Sequence, residues 1–393
     1  MRVLIANDGI ADAGGVDTYL RAIVPALRAH GYAVAFLHDR RRSDGARPPA
    51  EPAFGVVDLG LEQAIAGVAA WQPDVCFVHN MHALEVDAAL ASRWPVVKMM
   101  HGYFGTCVSG RKAHAWPTPR PCAKRFSAAC LAHFLPRRCG TANPVEMWRE
   151  YGWARRQQAL FAEYAAVVVA SDHMRREYAA NGVAESRLRM LPLFAPGEVT
   201  ESRTSSPADR VLFLGRMTDL KGGDILVAAI AHAARALSRP VAITFAGDGP
   251  ARPAWEADAR RLNVDARFTG WLAPAGRDAA LDRATVLAIP SVWPEPFGLV
   301  GLEAAARGVP SIAFDSGGVS EWLGDGVNGL LARPAGDARA LGDAIARLLA
   351  DRDLRATLAA GALARACTMT LARHLDALIS DVLEPVVRRA ATV

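Results

Sequence analysis

Apolar and polar positions along this chain follow two rhythms. Short apolar runs bounded by Gly, Pro, Asn or Asp predict buried strands, and the longer stretches between them repeat at helical spacing. In the first half the predicted strands are Val3–Ala6, Val34–Leu37, Val75–His79, Val96–Met100 and Ala166–Ala170. A turn at Gly14-Gly15 leads into a helix from about Asp17 to His30, with Gly31 where a C-cap belongs, and Pro144–Glu163 also reads as helix. The stretch from Pro196 to Asp209 is polar and aperiodic and reads as a linker. Beyond it Val211–Leu214, Val241–Ala246, Arg267–Thr269, Val286–Pro290 and Ser311–Phe314 alternate with helical stretches, and an amphipathic helix from about Leu371 to Arg389 closes the chain. Alternating strands and helices of this kind predict α/β structure with parallel sheets, in two doubly wound, Rossmann-like units. The expected domains are residues 1–200, 201–370 and a crossover helix at 371–393 that packs back toward the first domain.

A length of 393 residues with 51% hydrophobic content supports the two-domain reading. The opening run Met1 to Asp8 is too short for a signal peptide, and no stretch reaches the roughly 18 apolar residues of a membrane span. The expectation is therefore a cytoplasmic protein with six mostly reduced cysteines. Charge adds a local feature. The formal net charge of +5 comes entirely from Cys107 to Ala142, which holds Arg111, Lys112, Arg120, Lys124, Arg125, Arg137 and Arg138 and no acidic residue. Such a segment suits an anionic partner, or is simply a solvated loop.

The run from Ile289 to Glu303 carries the most chemistry. A strand ends at Pro290, a Pro-bounded loop presents Glu295, and a helix expected to start near Phe297 carries Glu303. Eight helical residues rise by ~12 Å, which suits one carboxylate at each end of a nucleotide sugar, with the helix start facing the phosphates. A second loop, Gly215 to Gly222, follows a strand and places Arg216 and Lys221 where both can meet one diphosphate. The G-x-G-x-x-G turn of dinucleotide enzymes is missing, since Gly9 to Gly15 and Gly247-Asp248-Gly249 lack its spacing. The one Asp-x-Asp, Asp351-Arg352-Asp353, lies between C-terminal helices and reads as a cap or solvated charge.

Together Gly14-Gly15, Arg216, Lys221, Ala246 to Pro250, Glu295 with Glu303, and Gly317-Gly318 resemble the retaining family 4 glycosyltransferases of GT-B fold, across nearly the whole chain. The resemblance implies two domains facing across a cleft. It implies that Glu303 holds the ribose, Glu295 the donor sugar, and Arg216 with Lys221 the diphosphate of a UDP- or GDP-sugar. Gly14 and Gly15 would close over the phosphates, with Asp17 in the family's acidic position. Gly215, Gly247, Asp248, Phe297, Gly298 and Leu299 would line the donor, with the nucleobase near Gly270-Trp271-Leu272. His101 falls where the family places a histidine against the donor sugar. The implied chemistry is transfer with retained configuration, the leaving diphosphate taking the acceptor's proton, and no catalytic metal or other cofactor. His101, Glu295, Arg216 and Lys221 are the expected catalytic set, while His79 and His82 are either acid–base candidates or, as is commoner at a strand end, packed and hydrogen-bonded residues.

The basic segment departs from that pattern. Cys107, Cys122, Cys130 and Cys139 fall inside it with His114 and His133, so a structural zinc or cluster stapling a loop too polar for its own core competes with free buried thiols. Beginning just after His101, the segment is expected to bind the acceptor through Arg137, Arg138 and aromatic residues such as Tyr103, Phe104 and Trp116. A phosphorylated or lipid-linked acceptor, and attachment to the inner face of a membrane, both fit its charge. Nucleic acid is not an expected partner. The products expected are polysaccharide, glycolipid or a glycosylated metabolite. The competing readings are a nucleotide-sugar epimerase of the same fold and a catalytically silent sugar-nucleotide-binding protein.

Overall fold

The computed structural model describes residues 1–9, 15–40, 48–197, 199 and 210–392. Gly14 and most of the linker expected at 196–209 lie outside the described residues. In chain order the strands are β1 (Arg2–Ala6), β2 (Ala33–His38), β3 (Ala53–Gly55), β4 (Val75–Val78), β5 (Val96–Met99), β6 (Ala113–His114), β7 (Arg120–Pro121), β8 (Ala166–Val169), β9 (Leu188–Met190), β10 (Arg210–Leu214), β11 (Ala242–Ala246), β12 (Ala266–Gly270), β13 (Val286–Ile289), β14 (Ser311–Phe314) and β15 (Gly329–Ala332).

The chain folds as two compact units. The first comprises Met1–Arg111, Lys124–Leu193 and Leu371–Val393; the second comprises Lys112–Ala123 and Phe194–Thr370. The first is built on a parallel sheet of order β3-β2-β1-β4-β5-β8-β9, the second on a parallel sheet of order β12-β11-β10-β13-β14-β15. Each order reverses direction once, between β1 and β4 and between β10 and β13. Open parallel sheets bind ligands outside the carboxyl ends of the strands at that reversal. On one side of each reversal the strand is apolar and fully buried, as sheets covered on both faces require: β4 reads VCFV and β13 reads VLAI.

Local sequence explains the helices that cover these sheets. The helix Gly15–Ala29 buries Tyr19, Leu20, Ile23, Val24 and Leu27, a single stripe at helical spacing. Asn143 caps the helix Pro144–Ala159, its side chain accepting from the Val145 amide, with Pro144 at the first helical position. Asp351 caps Arg352–Thr368 by accepting from the Leu354 amide, so the Asp-x-Asp sequence is a helix start. The C-terminal helical stretch runs from Leu371 to Ala390 with a π turn at Leu378–Leu383, and it belongs to the first unit. Its His374 accepts from the Tyr19 hydroxyl at 3.0 Å through Nε2 and donates from Nδ1 to the Pro192 carbonyl at 2.7 Å. No helix among the described residues is long and apolar enough to cross a membrane.

Candidate active site

In the second unit, four strand-end loops interlock through their backbones. Gly215 donates to the Ala246 carbonyl, Met217 to Asp248, Gly247 to Gly270, and Val292 and Trp293 both to Leu220. Such closeness requires glycine. Gly247 has φ +133°, and a Cβ there would stand 2.0 Å from the Gly215 carbonyl oxygen; Gly222 has φ +67°, and a Cβ there would stand 2.1 Å from that of Pro290. The loop after β10 is thereby clamped against the loop after β13, and Lys221 meets Glu295. Their Nζ and Oε1 atoms are 2.6 Å apart, with Glu295 buried and Lys221 partly exposed. The ammonium also lies 4.9 Å from the centre of the Trp293 ring. Arg216 is exposed and forms no ion pair among the described residues. Glu295 is held from behind, its carbonyl accepting from the Gly318 amide at 2.7 Å, beside a Gly317 of φ +66°.

The helix that follows is shorter than expected. It runs Leu299–Ala305, so only about half of the span from Glu295 to Glu303 is helical, and the ~12 Å rise argued for it does not apply. A helix of seven residues also brings a small dipole. Gly298, in the left-handed region, turns the chain into this helix, and the Trp322 indole donates to the Phe297 carbonyl at 2.7 Å. The Phe297 side chain is buried in the loop, which leaves its backbone as the part able to line a ligand. Glu303 pairs with Arg277 at 3.3 Å. Burial pushes the Glu303 carboxyl above its ordinary range; Arg277 opposes this, Asp278 adds to it and Arg307 opposes it. Asp248 is tied to its own loop, accepting from the Gly249 amide at 2.7 Å and from Arg252 at 3.0 Å. Leu272 lines a cavity of about 240 Å³ with Thr269 and Gly276, and Trp271 beside it is largely exposed.

In the first unit, β4 ends into His79 and β5 into His101, at the carboxyl side of the strand reversal. His79 Nδ1 and His101 Nε2 are 2.9 Å apart, and the rings stack at 5.2 Å. Tyr19 packs against both rings. Burial, reinforced by the Lys98 charge, holds His101 down to about 3. Burial also holds His79 well below its ordinary value, with His101 and then Lys98 adding to the effect. His82 instead faces Asp8, which accepts from its amide at 2.7 Å and approaches its ring at 3.5 Å. Gly15 begins the helix Gly15–Ala29 and is exposed.

The basic segment is divided between the two units. Residues 112–123 form the β6/β7 hairpin and belong to the second unit, with Ala113 in that unit's apolar core and Lys112 buried. The remainder packs within the first unit around Val108, Phe126, Phe134, Met147 and Ala154, with Cys130 and Cys139 against them. It therefore has an apolar core of its own. The thiols find local partners: Cys107 lies 3.8 Å from the Ser109 hydroxyl, and Cys130 and Cys139 each lie 3.8 Å from a backbone carbonyl. Among the described residues none of Cys107, Cys122, Cys130 and Cys139 forms a disulfide. No three His, Cys, Asp or Glu among the described residues are grouped to hold a metal. Tyr103 is fully buried, edge-on to His173, and so offers no ring face to a sugar. Arg137 is half-buried and Arg138 exposed, just beyond the helix Ala129–Phe134.

Two parallel-sheet units with these loops define the GT-B class, and solved structures agree. HepE of Anabaena, crystallised with UDP and glucose, matches with a TM-score of 0.70 at 19% identity over 98% of this chain and 100% of that one. TarM of S. aureus matches at 0.72 and 9% identity, over 96% and 99%. A family model described as glycosyl transferases group 1 matches residues 208–351. A D-inositol 3-phosphate glycosyltransferase of Streptomyces scabiei is 30% identical over 402 residues, covering 91% of this chain and 83% of the relative. One of Stackebrandtia nassauensis is 34% identical over 215 residues, a match that spans about half of each chain. The chain belongs to this group 1 family of glycosyltransferases, family 4, with the GT-B fold.

Sequence reasoning missed Arg277, Trp293 and the Lys98 charge. Arg277 sits on a different helix from the glutamate it pairs with, beyond the reach of spacing arguments. Lys98 did leave a signal, because a lysine inside the apolar run Val96–Met100 must be paired when buried.

Proposed function

We propose that this protein transfers a sugar from a nucleotide-sugar donor, with UDP-sugars the favoured class, to a hydroxyl acceptor with retention of anomeric configuration. The observation that carries the proposal is the Lys221–Glu295 pair at 2.6 Å, clamped at the carboxyl end of the strand reversal with Arg216 exposed beside it. A nucleotide diphosphate placed there meets two cations, and Glu295 is close enough to Lys221 to touch the sugar on the same ligand. Glu303, one turn into the helix, takes the ribose hydroxyls. His101 contacts the donor sugar.

As the glycosidic bond breaks, negative charge grows on the leaving diphosphate. Arg216 and Lys221 stabilise that charge without a metal ion, and the diphosphate accepts the acceptor's proton. UDP in HepE and the phosphorylated substrate named for the relatives both fit this reading. The acceptor is an anionic, phosphorylated hydroxyl compound, engaged by Arg137 and Arg138.

A thermal-shift panel of UDP, GDP and their sugars tests the donor assignment. A ligand at 100 times its Kd stabilises by ~2.7 kcal/mol, so a donor raises the melting midpoint measurably. UDP-sugars are expected to raise it in the wild type and to lose most of that effect in Glu303→Gln and Lys221→Met. If no nucleotide or nucleotide sugar moves the midpoint, the assignment fails.

A further inference from the structure

His79 has no role in the reaction as described, yet it is fully buried and its side chain makes one hydrogen bond among the described residues. That contact is with His101, the histidine assigned to the donor sugar. Both rings are held neutral by their surroundings, so one of the two nitrogens in the 2.9 Å contact carries the proton and the other accepts it. The choice fixes both tautomers at once.

The other nitrogen of His79 decides it. Nε2 is buried and has no hydrogen-bond partner among the described residues. A buried N–H without an acceptor is rarer and more costly than a buried lone pair without a donor. The surroundings add to the preference. A cavity of about 10 Å³ is lined by His79, Lys98 and Gln157 but not by His101. Lys98 brings an ammonium buried against Asp87 at 2.6 Å, and Tyr164, which receives a hydrogen bond from Gln157, donates to the same carboxylate at 2.8 Å. A lone pair on Nε2 is compatible with the positive field of Lys98, whereas an N–H there is opposed by it.

We propose that His79 is a positioning residue that fixes the tautomer of His101. His79 donates from Nδ1 to Nε2 of His101, which places the proton of His101 on Nδ1. His101 then presents a single hydrogen-bond donor, aimed by its stack with His79 and the packing of Tyr19. The ligand chemistry this selects is an acceptor oxygen, such as a sugar hydroxyl oxygen. A nitrogen free to exchange tautomers pairs with either a donor or an acceptor and discriminates less. The assignment of that oxygen to the donor sugar rests on the function proposed above, while the tautomer itself does not.

Ring-nitrogen chemical shifts in protein labelled with ¹⁵N-histidine separate the two statements, since they need no substrate. In the wild type, His79 and His101 are both expected to carry the proton on Nδ1. His79→Phe keeps a ring in the packing but removes the donor, so His101 should shift to a mixture or to the Nε2-protonated form. His79→Gln, whose amide donates, should restore the Nδ1 form. With a nucleotide sugar as substrate, His79→Phe should lower kcat by at least tenfold with donor KM changed less than threefold, and His79→Gln should recover much of that loss. An Nε2 proton on His101 in the wild type overturns the proposal, as does an unchanged tautomer in a folded His79→Phe. The expected tautomers in a protein that transfers no sugar would uphold the coupling and remove the functional reading instead.

Discussion

A buried histidine loses the water that would stabilise its charged form, and His374 shows the consequence for stability. It sits among Tyr19, Pro192 and the apolar face of the C-terminal helix, and burial holds its pKa down to about 4. An unfolded histidine titrates near 6.5. Between these values the unfolded chain binds a proton that the folded chain refuses, so stability is full above about pH 6.5 and falls as the pH drops toward 4. His101 extends the loss toward pH 3. The His374 contribution is on the order of 3 kcal/mol. His374→Phe should melt lower than the wild type at pH 7, since the Tyr19 hydroxyl loses its acceptor, and should lose less on moving from pH 7 to 4.5. Equal acid-induced losses in the two proteins, read by calorimetry, would contradict this account. The tie between the C-terminal helix and Tyr19 was not legible in the sequence. Tyr19 and His374 are far apart in the chain, and neither lies in a motif.

The strand-end loops are where sequence and structure agree most closely, because the same short-range rules govern both. At Gly222, beside Lys221, what approaches closely is the Pro290 backbone of the neighbouring loop. Gly247→Ala would drive a Cβ into the Gly215 carbonyl at a φ of +133°. It should cost at least about 2 kcal/mol of stability. It should also raise donor KM at least tenfold, because the displaced loop carries Arg216. A wild-type donor KM in this variant would show that the loop clamp does not position the cation. The helix after Glu295 was less legible. Its start was read from the Pro-bounded loop, but Gly298 in the left-handed region and the Trp322 anchor delay it to Leu299, and the latter depends on a residue far along the chain.

At the scale of the whole chain, the strand pattern predicted both sheets, because central parallel strands are unbroken apolar runs that can be recognised one at a time. Strand order, and with it the two reversal points that gather His79, His101, Lys221 and Glu295 at carboxyl ends, follows from parallel winding and not from any single segment. The charges of the basic segment are contiguous in sequence, but the fold divides them between the two units. Its hairpin joins the second unit and buries Lys112, while Arg137 and Arg138 stay with the first. The functional account comes down to one chemical event, cleavage of a nucleotide sugar by attack on the face that the diphosphate leaves. ¹H NMR of the sugar first released when the protein is incubated with an α-linked UDP-sugar, with water as the only acceptor and EDTA present, reads that event. The account predicts slow release of the α-anomer, abolished by Lys221→Met. Initial release of the β-anomer, or dependence on added metal, would contradict it.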